Sequence, residues 1–303
     1  MGSNFFSAFN QNGNITSLPV STGYCPNTTG ELIYEPNVDT LGVWWWRLDS
    51  AVEEQLLDYA AKNGVTEIYL NDAEFNAYTA DFIARAHEKG IKVYRLDRED
   101  EAILDDTAFR DRYLNKYLPY QASRPPNQRF AGVHLDMEPW GLPDYSANSG
   151  VYRQNMIDFM VGLRDSFPSE HFDYDLDVGR TQTVTYRGQP NVPLYQAMIQ
   201  EADRVIIMSY RDTAEKIYNL TAVPAYIAYA KSLDKPIFLS VNATNPSGSE
   251  DNAFDDRGKS AMYYELNKLK AMANYNKLGL AIHQMSRWYD LPDYGVECEK
   301  SPS

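Results

Sequence analysis

Between residue 41 and about residue 290 the sequence repeats one unit eight times: a short apolar run, a loop, then a stretch with an apolar stripe at helical spacing, often closed by glycine. The runs are 41–46, 65–70, 91–96, 130–136, 172–178, 204–210, 236–241 and 278–284. Strands alternating with helices form parallel sheets, because a parallel connection needs a crossover of helix length. Eight units over about 250 residues match a (β/α)8 barrel. The rival, a doubly wound open sheet, normally carries a Gly-rich phosphate turn after its first strand. Here that position reads Trp44, Trp45, Trp46, Arg47, Leu48, Asp49. We therefore expect an α/β protein with one TIM-barrel domain over residues 41–291. An irregular leader over 1–40, rich in Asn, Gly, Ser and Thr, is expected to lie on the barrel, and a tail follows over 292–303. Ser50 with Glu53 three residues later reads as a capping box for the first helix. Gly64 and Gly90 read as helix ends.

Charge narrows the range of partners. The chain carries 42 Asp+Glu against 28 Lys+Arg, a formal net charge of -14. Binding to a phosphate backbone needs clustered Lys and Arg, so nucleic acid is not an expected partner. Membrane insertion is not expected either, since no apolar run approaches the ~20 residues of a spanning helix. With no Gly-rich phosphate motif, no nucleotide cofactor is expected. Cys25 and Cys298 lie near opposite ends and read either as a terminal disulfide staple or as two separate thiols. The acidic surface and the option of that bridge point to an extracellular or cell-surface location.

In a (β/α)8 barrel the chemistry sits at the carboxyl ends of the strands. Side chains alternate along a strand. On the fourth strand Val133, Leu135 and Met137 share one face, and His134, Asp136 and Glu138 the other. The apolar set should pack under the helices, which leaves the polar set at the barrel mouth. Two carboxylates on one face should couple, one ionised and the other with a raised pKa, and this is how a general acid is made. The fifth strand alternates Asp173, Asp175 and Asp177 with apolar residues, and Arg95 and Asp97 on the third read as a structural ion pair. Asn71, Tyr210, Arg211, Asn242 and Gln284 stand at other strand ends. All five Trp lie in or just past three strands: Trp44, Trp45 and Trp46 on the first, Trp140 after the fourth, Trp288 after the eighth. Alternation forbids the triple Trp from all facing inward. An aromatic face offers a platform to a sugar ring, so Trp46, Trp140 and Trp288 are candidate carbohydrate contacts.

The segment from Ala131 to Glu138 (AGVHLDME) resembles the family-18 glycoside hydrolase signature D-G-x-D-x-D-x-E. Met208, Ser209, Tyr210 and Arg211 resemble that family's sixth-strand motif M-x-Y-D. The family comprises chitinases, endo-β-N-acetylglucosaminidases and non-catalytic lectin relatives on a (β/α)8 barrel. The resemblance implies that Glu138 protonates the leaving glycosidic oxygen. It also implies that Asp136 orients a 2-acetamido group and that Tyr210 bonds its carbonyl, in substrate-assisted retention, an exception to the two-carboxylate scheme. The first two signature Asp positions read Ala131 and His134, and Arg211 replaces the last Asp of the second motif. His134 is then expected to hold Asp136 in place. Arg211 is expected beside an anion, on a substrate or on Asp175 or Asp177. The family's eighth-strand Trp falls at Trp288.

The expected function is thus an atypical glycosidase acting on a carbohydrate. Its catalytic residues are Glu138, Asp136 and Tyr210, and its substrate contacts are His134, Trp140, Trp288, Trp46, Asp177, Arg211, Gln284 and Asn71. The alternatives are a glycan-binding barrel without turnover and a metal-dependent hydrolase built on His134, Asp136 and Glu138. With only four His in the chain and no pair at ligand spacing, no metal is expected.

Overall fold

The computed structural model describes residues 6–9, 15–18, 40–71, 74–98, 100–244 and 252–292. Cys25, Cys298, most of the leader and the tail beyond residue 292 lie outside the described residues. Eight parallel strands close on themselves. They are β1 (Leu41–Trp45), β2 (Glu67–Leu70), β3 (Lys92–Arg98), β4 (Val133–Asp136), β5 (Phe172–Asp177), β6 (Arg204–Met208), β7 (Ile237–Asn242) and β8 (Leu278–His283). Closure is the pairing of β8 with β1, with Leu280 opposite Leu41 and Ile282 opposite Val43. That pairing removes the two open edges of a doubly wound sheet.

The helices are α1 (Glu53–Lys62), α2 (Ala77–Glu88), α3 (Thr107–Arg112), α4 (Leu118–Ser123), α5 (Tyr145–Ser166), α6 (Leu194–Glu201), α7 (Ala214–Tyr218), α8 (Val223–Ser232), α9 (Gly258–Ala273) and α10 (Met285–Asp290). As the sequence indicates, α1 and α2 stop just before Gly64 (φ 74) and Gly90 (φ 77), whose left-handed backbone an L side chain resists. The capping box does not form. The first helical residue is Glu53, preceded by Val52 with no side-chain cap. The Glu53 carboxylate pairs instead with Arg85 of α2 at 2.5 Å, so it cannot reach back to its own helix start. The single helix expected through Ile217 and Ala228 is two, because Ala222 takes φ 74 between α7 and α8. Among the described residues, two antiparallel pairs lie outside the barrel order. Phe6–Phe9 pairs with Ile15–Leu18 in the leader, and Thr183–Tyr186 pairs with Gln189–Pro193 after β5.

Alternation along the strands divides the apolar residues into two cores. Val43, Ile68, Val93, Val133, Leu135, Tyr174, Leu239 and Ile282 face the helices and join the large outer core. Trp44, Tyr69, Tyr94, Leu96, Ile206, Phe238 and Ala281 fill the bore. Small residues face large ones across it: a Cβ on Gly279 would fall against the Phe238 ring, and one on Gly42 against the Tyr69 hydroxyl. Below these rings Arg204 pairs with Glu67 at 2.5 Å and with Asp173, and its guanidinium lies 4.3 Å from the Phe238 ring centroid. The bore is therefore packed from its amino-terminal end up to the level of these rings.

Gly279→Ala should cost about 1–3 kcal/mol of stability, the usual price of overpacking a filled core. Phe238 cannot retreat, because Arg204 occupies its other side. Urea unfolding of the two proteins checks this, with an unchanged midpoint counting against the packing described.

Candidate active site at the barrel mouth

The fourth strand behaves as its alternation requires. Val133, Leu135 and Met137 are buried in the outer core. His134 points into the bore, stacked on Tyr69 with ring centroids 4.3 Å apart and edge-on to Trp44 at 5.8 Å. Its Nε2 lies 3.0 Å from Asp175 Oδ2 on the adjacent strand β5. The expectation that His134 steadies Asp136 and contacts substrate is therefore corrected. His134 is 0% exposed and turned toward Asp175, so it supports the site from beneath.

Above that pair stand Asp136 and Glu138. Asp136 is 6% exposed, and its Oδ1 has no hydrogen-bond partner among the described residues. Burial, then the nearby charges of Asp175 and Glu138, push the Asp136 carboxyl up to about 9, with Arg98 opposing. Glu138 is half-buried, and its carboxyl is also raised, by burial first, against the pull of Arg98. Asp175 is raised by burial despite the compensation of His134. All three carboxyls are raised, with burial the first cause of each. The sequence pattern predicts one ionised and one raised carboxyl in the pair, whereas both are raised, because both are removed from water. The deeper residue takes the larger shift because it has less water around it.

Glu138 is held by its backbone: its N–H donates to Asp100 Oδ1 at 2.6 Å. Arg98 approaches both, 3.3 Å from Asp100 Oδ2 and 3.6 Å from Glu138 Oε2. Tyr210 completes the group from the end of β6. Burial raises its hydroxyl well above the ordinary phenol range, reinforced by Asp175, Asp136 and Glu138.

The remaining candidates divide. Asp177 stays at the rim, paired with Arg180 at 2.5 Å. The Arg180 guanidinium lies over the Trp140 ring at 4.1 Å, so one face of that indole is already taken. Asn71 is at the end of β2, its side-chain amide donating to the Leu96 carbonyl at 3.3 Å. Gln284 follows β8 and is half-buried. Arg211 does not meet Asp175 or Asp177, since its Nη1 donates to the Tyr210 carbonyl at 2.6 Å and to Asn252 Oδ1 at 2.9 Å. The Arg95–Asp97 ion pair forms at 2.7 Å. Trp288 is a second correction: it lies on α10, 0% exposed, and its indole N–H donates to the Tyr263 hydroxyl at 2.9 Å. A side chain enclosed among the helices offers no face to a sugar. The turn into α10 takes Trp288 off the strand axis, a geometry that distance along the chain does not reveal.

Three residues of the mouth escaped the sequence reading: Asp100, Arg180 and His283. Asp100 opens a short 3-10 turn (Asp100–Ile103) and Arg180 sits in a loop, where no periodicity assigns a direction. The signal for His283 was present: it stands two residues after inward-facing Ala281. Its Nε2 accepts from Trp46 Nε1 at 3.0 Å. Among the described residues, no set of three or more His, Cys, Asp or Glu side chains is placed to hold a metal ion.

No protein-family model and no curated protein sequence matches the chain. Its structure is similar to that of a family-18 glycoside hydrolase, a chitinase from Pseudoalteromonas aurantia, at 14% identity over 81% of this chain and 94% of that one, with a TM-score of 0.54. Two further solved structures lie at lower TM-scores. The spore cortex-lytic enzyme SleL of Bacillus megaterium is 14% identical over 91% of this chain and 76% of its own, with a TM-score of 0.48. A family-18 chitinase from Cycas revoluta, solved in complex with (GlcNAc)3, is 12% identical over 82% and 96%, with a TM-score of 0.47. At 14% identity the first likeness establishes the fold, an eight-stranded parallel barrel of the kind glycoside hydrolases use.

The Asp136 shift has a consequence for stability. Its carboxyl is protonated in the folded protein up to about pH 9 but ionises near pH 4 when unfolded. The associated stability is complete below pH 4 and is lost as pH rises toward 9. Asp136→Asn removes that penalty. The variant should melt higher than wild type at pH 8, by several degrees, with the gap closing toward pH 4. Melting curves across that range check the sign, and a gap that widens on acidification would refute the assignment.

Proposed function

We propose that the protein is a glycoside hydrolase in which Glu138 is the general acid and Asp136 and Tyr210 engage a 2-acetamido group of the substrate. The observation that supports this most is a half-buried Glu138 beside a buried Asp136 with a raised carboxyl, at the carboxyl-terminal mouth of a barrel shared with glycoside hydrolases. The unpartnered Asp136 Oδ1 is suited to accept the acetamido N–H. The Tyr210 hydroxyl, held un-ionised, is suited to donate to the acetamido carbonyl. That carbonyl oxygen attacks the anomeric carbon as the glycosidic C–O bond breaks. Glu138 delivers its proton to the departing oxygen. Water then opens the cyclic intermediate and returns a proton to Glu138, with retention at the anomeric centre.

The role of Glu138 rests on its proton. Burial holds that proton at higher pH than an exposed carboxylate would, while Arg98 limits the rise. Its N–H bond to Asp100 fixes the backbone from which the acid projects.

Reducing-sugar release should be measured on a panel of N-acetylated and acidic glycans. Glu138→Gln should lower kcat by about 10²–10⁴, the usual worth of a general acid, with melting temperature and glycan binding retained. Wild-type rates in the variant would overturn the assignment. Binding across the panel without product from the wild type would instead establish a glycan-binding barrel.

A further inference from the structure

Among the tryptophans considered as sugar platforms, Trp288 is enclosed by the helices and Trp140 carries Arg180 on one face. Trp46 differs from both. It follows the last residue of β1, half-buried, and packs against the aromatic core of the bore. Its indole N–H donates to His283 Nε2 at 3.0 Å across the seam where β8 closes on β1. His283 is anchored in turn: its Nδ1 lies 3.4 Å from Asn242 Oδ1 on β7. Its ring meets Trp44, Trp46 and Tyr210, each with centroids 5.8 Å apart. One imidazole thus ties together the ends of β7, β8 and β1 and touches the tyrosine that faces the acid pair.

We infer that His283 is a positioning residue that fixes Trp46 as the aromatic floor of the sugar subsite next to Asp136 and Glu138. Two independent features carry this. The hydrogen bond sets the rotation of an indole that would otherwise be free to swing at the rim. The ring contact with Tyr210 sets the distance between that floor and the acidic group. Nε2 must accept for the Trp46 bond to exist, so Nδ1 holds the proton and donates to Asn242. A neutral imidazole is the only form that does both. The shift of His283 down to about 4 by burial agrees with that form. The inference rests on the glycan-active reading above, and the test separates the two.

The probe is the soluble tetramer of N-acetylglucosamine, titrated calorimetrically into Glu138→Gln protein to prevent turnover. Adding His283→Leu should weaken binding about tenfold, and Trp46→Leu at least as much, in line with the worth of one aromatic contact. The double variant should bind no more weakly than Trp46→Leu alone, because the imidazole acts through the indole. In the active protein His283→Leu should raise KM by the same factor and lower kcat by less. If His283→Leu does not fold, Trp46→Phe removes the N–H while keeping a ring, and it should weaken binding about tenfold. Unchanged affinity in these variants, or additive losses in the double variant, would overturn the role of His283 while leaving the glycosidase reading intact. Absence of tetramer binding in the Glu138→Gln parent would overturn both.

Discussion

Carboxylates line the bore of this barrel from bottom to top, and each level neutralises them differently. At the bottom Glu67 and Asp173 share Arg204, and Asp173 also meets His171 at 2.6 Å. Burial pushes the Asp173 carboxyl up, but Arg204 and His171 more than offset it, so it stays ionised. In the middle Asp175 has His134 at 3.0 Å. At the top Asp136 has no cation within hydrogen-bond reach among the described residues, and it keeps its proton. A buried charge is tolerated only when something answers it, so this gradient determines which carboxyls are structural and which can react.

The consequence for chemistry follows from the middle level. The family signature resembled by β4 has acidic residues where this chain has Ala131 and His134. His134 does not take over by touching Asp136. It engages Asp175 on the neighbouring strand, and Asp175 then acts on Asp136 through space. Burial is the first cause of the raised Asp136 carboxyl, and the Asp175 charge on β5 adds to it. Parallel pairing places Leu135 beside Tyr174 and so brings their inward neighbours to similar depth.

The three consecutive tryptophans show how position alone diversifies one residue type. Trp44 faces the bore and meets Tyr69 edge-on at 5.2 Å. Trp45 faces the helices, against Phe82 at 5.2 Å, with its N–H on the Arg47 carbonyl at 2.8 Å. Trp46 lies past the last ladder pair and reaches the rim. The first two stabilise two different cores. Only the third is placed where a ligand can reach it.

The periodicity of the chain was enough to read the barrel, the inward face of β4 and β5, and the glycine ends of α1 and α2, because strand alternation and helix termination are local consequences of sequence. The carboxylate pair at Asp136 and Glu138 was legible for the same reason. What could not be read was any feature created by neighbours distant in sequence. Glu53 left its capping box for Arg85, His134 chose Asp175 over Asp136, Arg211 turned to Asn252, and Trp288 left the mouth with α10. His283 acquired its place only when β8 met β1. The sequence by itself determined which residues point inward and at what height. The tertiary structure alone decided which partner answers each polar group, because hydrogen bonds and charge neutralisation depend on distances across the closed barrel, and those exist only after closure.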